Sequence, residues 1–145
     1  MARSYVLNYL HCVFATKQRR ATIVDPASVW AYIRGIARNC HFDVLAIGGT
    51  NNHVHLLLAL PAGRNLSDIM RDIKANSSRF IRIKSRLFAW QDGYAGVSVS
   101  PSQIATVKAY IANQAEHHRT RAFEDEYLAL LKRSGAEFDP DDFLG

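Results

Sequence analysis

The sequence predicts a single α+β domain in which helices cover an antiparallel sheet. Its periodic segments follow the order strand-helix-strand-strand-helix-strand, and two further helices come after them. This order is typical of a ferredoxin-like, or RRM-like, sheet with helices packed on one face, to which a C-terminal helix is added. A chain of 145 residues with 48% hydrophobic residues suffices for one such domain, residues 1–145, and not for two.

Two kinds of periodicity define the elements. Alternating segments rich in β-branched and aromatic residues predict strands, whereas apolar residues at every third or fourth position predict helices. Asp25-Pro26 is typical of a helix start, the turn at 49–52 indicates a hairpin, and the glycines of segment 93–100 indicate an edge strand. The predicted elements are strand 4–16, helix 26–40, strands 42–49 and 53–60, helix 66–80, strand 93–100, helix 102–119 and helix 123–133.

The third helix carries the most complete start signal in the sequence. Ser100 is an N-cap residue, Pro101 suits the first turn, and Gln103 completes the S-x-x-Q spacing of a capping box. From there the helix is predicted to extend to about residue 119. Its wheel directs one set of residues toward the core, namely Ile104, Val107, Lys108, Ile111 and Ala115.

Charge is unevenly distributed along the chain. The net charge is +5, but residues 121–145, predicted to be an acidic helix and tail, carry three basic and seven acidic side chains. Residues 1–120 therefore carry +9. A basic body of this size suits a polyanionic partner, and nucleic acid is the first candidate. A solvated basic surface without a partner is an equal alternative on charge alone.

Several classes of protein are not indicated. No apolar run approaches the ~20 residues of a membrane span, and the N-terminal residues lack the apolar segment and cleavage site of a secretory signal. Cys12 and Cys40 have no C-x-x-C spacing, so neither a disulfide framework nor a zinc knuckle is predicted. We therefore expect a cytoplasmic protein that does not act on a membrane.

Two histidines open the third predicted strand, in the segment NNHVHLLLALP at 51–61. Residues two apart on a strand point to the same face, so His53 and His55 form a potential two-point metal clamp. Two imidazoles leave a divalent metal under-coordinated, and a third protein ligand is required. The alternative is that both are partly exposed strand residues without a ligand.

One flank of the third predicted helix carries residues that could complete a metal site formed by His53 and His55. Tyr110, Gln114 and His117 fall together on the wheel, and the first two are one turn apart, with Cβ atoms about 5–6 Å from each other. A tyrosine assisted by a metal can cut a phosphodiester and rejoin it through a phosphotyrosine without an external energy source. Alternatively, Tyr110 is a half-buried aromatic at the rim of the core, Gln114 is a surface residue, and residues 116–119 are a solvated helix end.

Two motifs occur together in the order of a known family. HVH, at 53–55, is a histidine-hydrophobic-histidine motif, and YIANQ, at 110–114, places a tyrosine one turn before a glutamine. With the segments around them, these motifs resemble the single-tyrosine HUH transposases of small bacterial insertion sequences, which move as single-stranded DNA. The similar segments cover nearly the whole chain and are 10–20, 51–61, 90–100, 107–119 and 127–139.

The resemblance implies a role for each motif residue. Tyr110 would attack DNA to form a 5′-phosphotyrosine, and His53, His55 and Gln114 would bind Mg²⁺ or Mn²⁺. The substrate would be single-stranded DNA with hairpins near the element ends. The family works as a homodimer in which the tyrosine helix of one subunit can complete the metal site of the other. The edge strand at 93–100 would be a place for subunits to pair.

Basic residues supply the candidates for DNA contact. Segment 64–86 carries seven basic and two acidic side chains, and a second basic group follows the first strand. The candidate DNA-binding residues are Lys17, Arg19, Arg20, Arg71, Lys74, Arg79, Arg82 and Lys84. Three alternatives stay open: a domesticated HUH nuclease acting on chromosomal repeat hairpins, a relative that initiates replication or relaxes plasmids, and a non-catalytic module that binds single-stranded nucleic acid.

Overall fold

The computed structural model describes residues 2–118 and 121–139 of the chain. The strands are β1 (Tyr9–Ala15), β2 (Asp43–Gly49), β3 (His53–Ala59) and β4 (Ala95–Val99). The helices are α1 (Pro26–Asn39), α2 (Leu66–Arg82), α3 (Ile104–Ala112), α4 (Gln114–His117) and α5 (Phe123–Ser134). Within these ranges, none of the helices combines the length and the apolar character that a membrane crossing requires.

The sheet confirms the ferredoxin-like prediction. Its strand pairs are antiparallel, and the strand order is β2-β3-β1-β4. α1 and α2 pack on one face, where alternate residues of the two central strands enter the main core. The residues that the central strands contribute are Cys12, Phe14, Val54, Leu56 and Leu58. Their burial between sheet and helices is the main stabilising term of the fold.

The helices that follow β4 cover the opposite face of the sheet. α3 lies against β2 and β3, and Phe123 of α5 packs against Val13 and Ala15 of β1. Because the sheet is covered on both sides, every residue from His53 to Leu58 is buried, including the two histidines. The second face therefore combines buried imidazoles with the helix that carries the candidate nucleophile.

The first strand is shorter than the sequence predicted. The prediction began at Ser4, whereas β1 begins at Tyr9. Tyr9 already pairs with the last residues of both neighbouring strands, Ala59 of β3 and Val99 of β4. Residues before this point have little to pair with, and Tyr5 is 84% exposed. The alternating pattern therefore predicted the strand but not its first residue, which is set by where β3 and β4 end.

The start of the third helix also differs from its prediction. A 3₁₀ turn, Pro101–Gln103, precedes α3, and the predicted capping box is not formed. Gln103 N–H donates to the backbone oxygen of Ser100, whose hydroxyl pairs instead with the hydroxyl of Ser102 at 3.1 Å. The 3₁₀ turn satisfies the first N–H group with a backbone acceptor, so the side-chain cap is not required.

The same helix is interrupted where a continuous one was predicted. Asn113, with φ −99° and ψ 22°, separates α3 from α4, and the predicted end at residue 119 lies outside the described residues. Lys108 and Ala115, predicted to face the core, are exposed. Gln114 is buried instead, with 1% of its surface exposed. The break at Asn113 thus coincides with the residue predicted to bind a metal.

A close approach between β2 and α3 holds this interrupted helix in place. A Cβ atom at Gly48 would overlap the backbone oxygen of Ile111, which precedes the break by two residues. We expect Gly48→Ala to lower the free energy of unfolding by about 1–3 kcal/mol, as overpacking does in cores. The measurement is chemical denaturation, with Gly63→Ala as the control, since a Cβ at Gly63 has nothing within 4 Å. Equal stability of the two variants would contradict the expectation.

Candidate metal and tyrosine site

The hairpin of β2 and β3 sets the orientation of His53. Nδ1 of His53 donates to Oδ1 of Asn52 at 2.8 Å and lies 2.9 Å from the hydroxyl of Thr50. Asn52 is oriented for this role because its Nδ2 donates to the backbone oxygen of Arg19. With the proton on Nδ1, the lone pair of Nε2 points under α4. The turn residues therefore fix both the ring plane and the tautomer of His53.

Nε2 of His53 meets Gln114, the residue predicted to bind the metal with it. Nε2 lies 3.0 Å from Oε1 of Gln114, whose Nε2 donates to Glu126 at 3.2 Å. The carboxamide therefore turns its oxygen toward the histidine. A nitrogen lone pair and a carbonyl oxygen face each other at hydrogen-bonding distance, an arrangement that a cation between them would stabilise.

His55 lies beside His53 and has two partners of its own. Its Nδ1 is 2.8 Å from Nε2 of His11, a buried residue on β1, and its Nε2 is 2.9 Å from Oε1 of Glu126. Sequence reasoning did not identify His11. The signal available was its place in the first predicted strand, two residues before Val13 and on the same face. Its pairing with His55 depends on strand register, which the sequence pattern does not give.

Glu126 lies at the centre of the site, and sequence reasoning missed it as well. Its side chain is 4% exposed and accepts hydrogen bonds from Tyr110 Oη and from Nε2 of His118, the latter at 3.0 Å. The sequence treated Glu126 as part of an acidic tail and His118 as a helix end. The available signal was spacing, because Glu126 follows Phe123 by three residues and thus shares the apolar side of α5.

Burial sets the charges of the cluster. Burial lowers the pKa of His11 and of His53 to about 3, and it lowers the pKa of His55 as well. Burial alone would raise the pKa of Glu126, but hydrogen bonds from His55, Tyr110 and His118 outweigh it and hold the pKa well below its usual range. At neutral pH Glu126 is therefore a buried carboxylate, and His11, His53 and His55 are neutral imidazoles.

The donor set fits a divalent cation. His53, His55, His118 and Glu126 offer ligand atoms that all lie within 4.8 Å of one another. Neighbouring ligands of an octahedral ion with bonds of ~2.1 Å are about 3.0 Å apart. Two pairs of donor atoms in the site match this spacing. Nε2 of His53 is 3.0 Å from Oε1 of Gln114, and Nε2 of His55 is 2.9 Å from Oε1 of Glu126. Imidazole and oxygen donors together suit Mn²⁺ and related ions.

Comparison with known proteins shows the family of this chain. Residues 4–114 match the profile of the family described as transposase, IS200-like. The chain belongs to this family. The matched segment contains His53, His55, Tyr110 and Gln114, which the structure brings together within one chain.

Relatives of this transposase agree with the assignment. It is 26% identical over 120 residues to the ISDra2 transposase TnpA of Deinococcus radiodurans, covering 76% of this chain and 85% of the relative. The 1.90 Å crystal structure of a Deinococcus radiodurans R1 protein assigned as a transposase is 26% identical, with a TM-score of 0.62 over 79% of this chain and 96% of that one. A REP-associated tyrosine transposase bound to a REP hairpin has a TM-score of 0.62 at 19% identity, over 81% of this chain and 73% of that chain, and supports the fold.

The candidate DNA-binding residues of this transposase form two groups. Lys17, Arg19 and Arg20 follow β1, and Arg19 pairs with Glu124 of α5. The second group lies on or just after α2, across the sheet from the histidines. Its members are Arg71, Lys74, Arg79, Arg82 and Lys84. The structure therefore does not bring the eight residues together on one face.

Two members of the second group, Lys74 and Arg82, donate hydrogen bonds to backbone oxygens. Nζ of Lys74 donates to the backbone oxygens of Gln91 and Gly93, at 2.9 and 2.6 Å. Nε of Arg82 donates to the backbone oxygen of Phe88 at 2.9 Å. Both side chains thus hold the connection between α2 and β4. For all eight residues, DNA contact stays a prediction.

The buried neutral histidines make the stability of the metal-free transposase depend on pH. Unfolding exposes His11 and His53, whose pKa then rises from about 3 to about 6.5, so the unfolded chain binds protons that the folded chain does not. Stability is therefore complete well above pH 6.5 and falls progressively as the pH decreases toward about 3. The measurement uses the window from about pH 6.5 to about pH 4.5, above the range in which exposed carboxylates titrate. We expect a loss of a few kcal/mol over this window, measured by denaturation in the presence of EDTA.

Two variants separate the buried histidines from exposed ones in this measurement. His11→Gln removes one buried imidazole and flattens the pH dependence, whereas His41→Asn removes an exposed imidazole and leaves it unchanged. The same pH profile in all three proteins would show that the buried rings do not determine it.

Proposed function

We propose that this chain nicks and rejoins single-stranded DNA at insertion-sequence ends through a 5′-phosphotyrosine on Tyr110. Membership of the IS200-like family supports transposition in general. The observation that carries the specific proposal is convergence: Tyr110 and Gln114 lie beside His53 and His55, around one buried carboxylate. If the two histidines served only the fold, nothing would explain why the nucleophile and the glutamine lie beside them.

Tyr110 is accessible to a substrate strand. The residue is half-buried and lies in the wall of a cavity of about 560 Å³ between β4, α3 and α5. His11, His55 and Glu126 line the same cavity, and Arg133 adds a positive charge to it. A nucleotide placed there would bring its phosphate to both the phenol and His55. The cavity therefore suits the segment of DNA that contains the scissile phosphate.

His53, His55 and Gln114 would hold the metal, Mg²⁺ or Mn²⁺. Bound there, the ion would polarise the scissile phosphate and orient it toward the tyrosine. Imidazole ligands favour Mn²⁺ over Mg²⁺, although the concentration of each ion in the cell also matters. His11 and the Asn52 turn keep the two rings oriented, so the ligands are positioned before the ion arrives.

The reaction at Tyr110 is a reversible exchange of phosphodiester bonds. Oη of Tyr110 bonds to phosphorus while the bond from phosphorus to the 3′ oxygen breaks, and the phenol proton ends on that 3′ oxygen. Burial and the hydrogen bond to Glu126 raise the pKa of Tyr110, so the proton stays on the phenol until attack. The free 3′-hydroxyl can then attack a phosphotyrosine to re-form a DNA strand.

The proposed substrate is single-stranded DNA with hairpins near the element ends. The +9 charge of residues 1–120 suits a polyanion, and the fold neighbour described above was solved with a hairpin. We also propose a homodimer, for which β4 at one edge of the sheet offers a strand-pairing surface. Tyr110 and Gln114 meet the histidines of their own chain here, so dimerisation would add to a site that one chain can assemble.

The experiment that tests the function uses a labelled single-stranded end that carries its hairpin. The protein is incubated with this DNA with and without Mn²⁺, and the products are separated by denaturing electrophoresis. We expect a covalent protein–DNA band that forms only with the metal. DNA that binds without any such band would favour a non-catalytic nucleic-acid-binding module and would contradict the proposal.

A further inference from the structure

We infer that Glu126 of α5 is an additional ligand of the metal, an inference that rests on the metal-dependent function proposed above. Glu126 lies outside residues 4–114, the segment that matches the family profile. It also belongs to neither the histidine motif nor the tyrosine motif. Its carboxylate is nevertheless buried among the residues of both.

The two oxygens of Glu126 face different parts of the site. Oε1 lies 2.9 Å from Nε2 of His55 and 3.7 Å from Nε2 of His53, the side on which the metal would bind. Oε2 accepts hydrogen bonds from Tyr110 Oη and from Nε2 of Gln114. One oxygen is thus directed at the ligand pair and the other at the nucleophile.

Ligand chemistry favours a carboxylate at this position. Mg²⁺ and Mn²⁺ prefer oxygen ligands, and in proteins these ions are bound through carboxylates. His53, His55 and Gln114 are neutral, so Glu126 supplies a negative charge that the other three lack. A buried carboxylate is costly unless it is both hydrogen-bonded, as Glu126 is, and paired with a positive charge. A divalent cation at Oε1 would provide that charge at the place where the imidazoles converge.

The same carboxylate links the metal position to the nucleophile. Nε2 of His118, 3.0 Å from Oε1, keeps the carboxylate group turned toward the histidine pair. The hydrogen bond from Tyr110 to Oε2 then holds the phenol at a fixed position relative to that pair. α5 therefore contributes both a ligand and the orientation of Tyr110, so the catalytic site extends beyond the two motifs.

The test is Mn²⁺ binding by the purified chain, residues 1–145, followed through the electron paramagnetic resonance signal of free Mn²⁺. We expect Glu126→Gln to weaken Mn²⁺ binding by about 10–100-fold, since the side-chain amide keeps an oxygen at the ligand position but loses the negative charge. The matched control is Glu124→Gln on the same helix, whose carboxylate pairs with Arg19 instead. This control is expected to bind Mn²⁺ as the wild type does.

Each outcome supports or overturns either the inference about Glu126 or the proposed metal-dependent function. If Glu126→Gln binds Mn²⁺ with wild-type affinity, the inference is overturned. An increase in adduct formation at that unchanged affinity would also overturn it, because Glu126 would then obstruct the reaction. If Glu126→Gln fails to unfold cooperatively in EDTA, Glu126→Asp replaces it: weaker binding supports the inference and unchanged binding overturns it. A wild-type chain that binds no Mn²⁺ overturns the metal-dependent function itself.

Discussion

Replacing Tyr110 with phenylalanine is expected to abolish the covalent protein–DNA adduct, because the phenol oxygen is the atom that attacks phosphorus. We expect adduct formation to fall by about 10⁴-fold or more, since only binding and electrostatic contributions remain after a nucleophile is removed. The measurement is denaturing electrophoresis of the labelled hairpin-bearing strand in Mn²⁺, at protein concentrations that saturate the DNA. An adduct at the wild-type level would exclude Tyr110 as the nucleophile.

The same variant is expected to keep its fold and its affinity for DNA. Phenylalanine preserves the ring, whose centroid lies 6.0 Å from that of His11 and 4.6 Å from that of His117. The lost hydrogen bond to the Glu126 carboxylate costs about 1.5–3 kcal/mol, and Gln114 continues to donate to the same carboxylate oxygen. Thermal unfolding and a gel-shift measurement without metal check both expectations.

Tyr32→Phe provides the control for a change of tyrosine to phenylalanine. Tyr32 lies on α1 and stacks on Phe80, with ring centroids 4.2 Å apart, on the other face of the sheet from the histidines. Its hydroxyl has no place in the proposed reaction, so adduct formation should match the wild type. Loss of the adduct in both variants would indicate a general effect on the fold.

The parts of the site that the sequence predicted are those that depend on local geometry. A strand places His53 and His55 on one face, and a helix places Tyr110 one turn before Gln114, whatever the rest of the chain does. The helix break at Asn113 did not separate the last two, because both ends of the break stay close to the sheet. Local periodicity therefore identified four residues that the structure brings together.

His11 and Glu126 could not be predicted in the same way, because their contacts are long-range. His11 is 44 residues from His55, and Glu126 is 71 residues from it. The first contact requires the β1–β3 register, and the second requires α5 to return across the face of the sheet. Hydrophobic periodicity gives neither. This case suggests that a charged residue on the apolar side of a short helix can indicate a buried functional site.

The distribution of charge along the sequence indicates a polyanionic partner for the chain, but it does not indicate which basic residues contact that partner. Lys74 belongs to a basic segment, yet its ammonium group is bound to two backbone oxygens and lies 5.7 Å from the centre of the Phe14 ring. Burial lowers its pKa, as expected of a side chain that packs against the core. Whether a lysine serves the fold or a ligand depends on tertiary contacts that a count of charges does not contain.

Replacing His53 with alanine is expected to weaken Mn²⁺ binding by more than about 100-fold, since this change removes a ligand and not only a supporting group. The comparison is with His117→Ala, because His117 lies against Tyr110 but is not in the cluster of potential ligands. Wild type and the control should gain stability in Mn²⁺, about 2.7 kcal/mol when the ion is at 100 times its Kd. His53→Ala should gain less than about 0.4 kcal/mol at the same concentration, because the ion is then at or below its Kd.

The His53 variant should also differ from the tyrosine variant in how it responds to added metal. Weak binding can be overcome by mass action, so adduct formation by His53→Ala should recover in part as the Mn²⁺ concentration is raised. Tyr110→Phe lacks the attacking atom, and no concentration of metal can restore it. Unfolding measured in EDTA shows whether the cavity left by the imidazole has damaged the fold. If a folded His53→Ala binds Mn²⁺ as tightly as the wild type, the histidine pair is not the metal site.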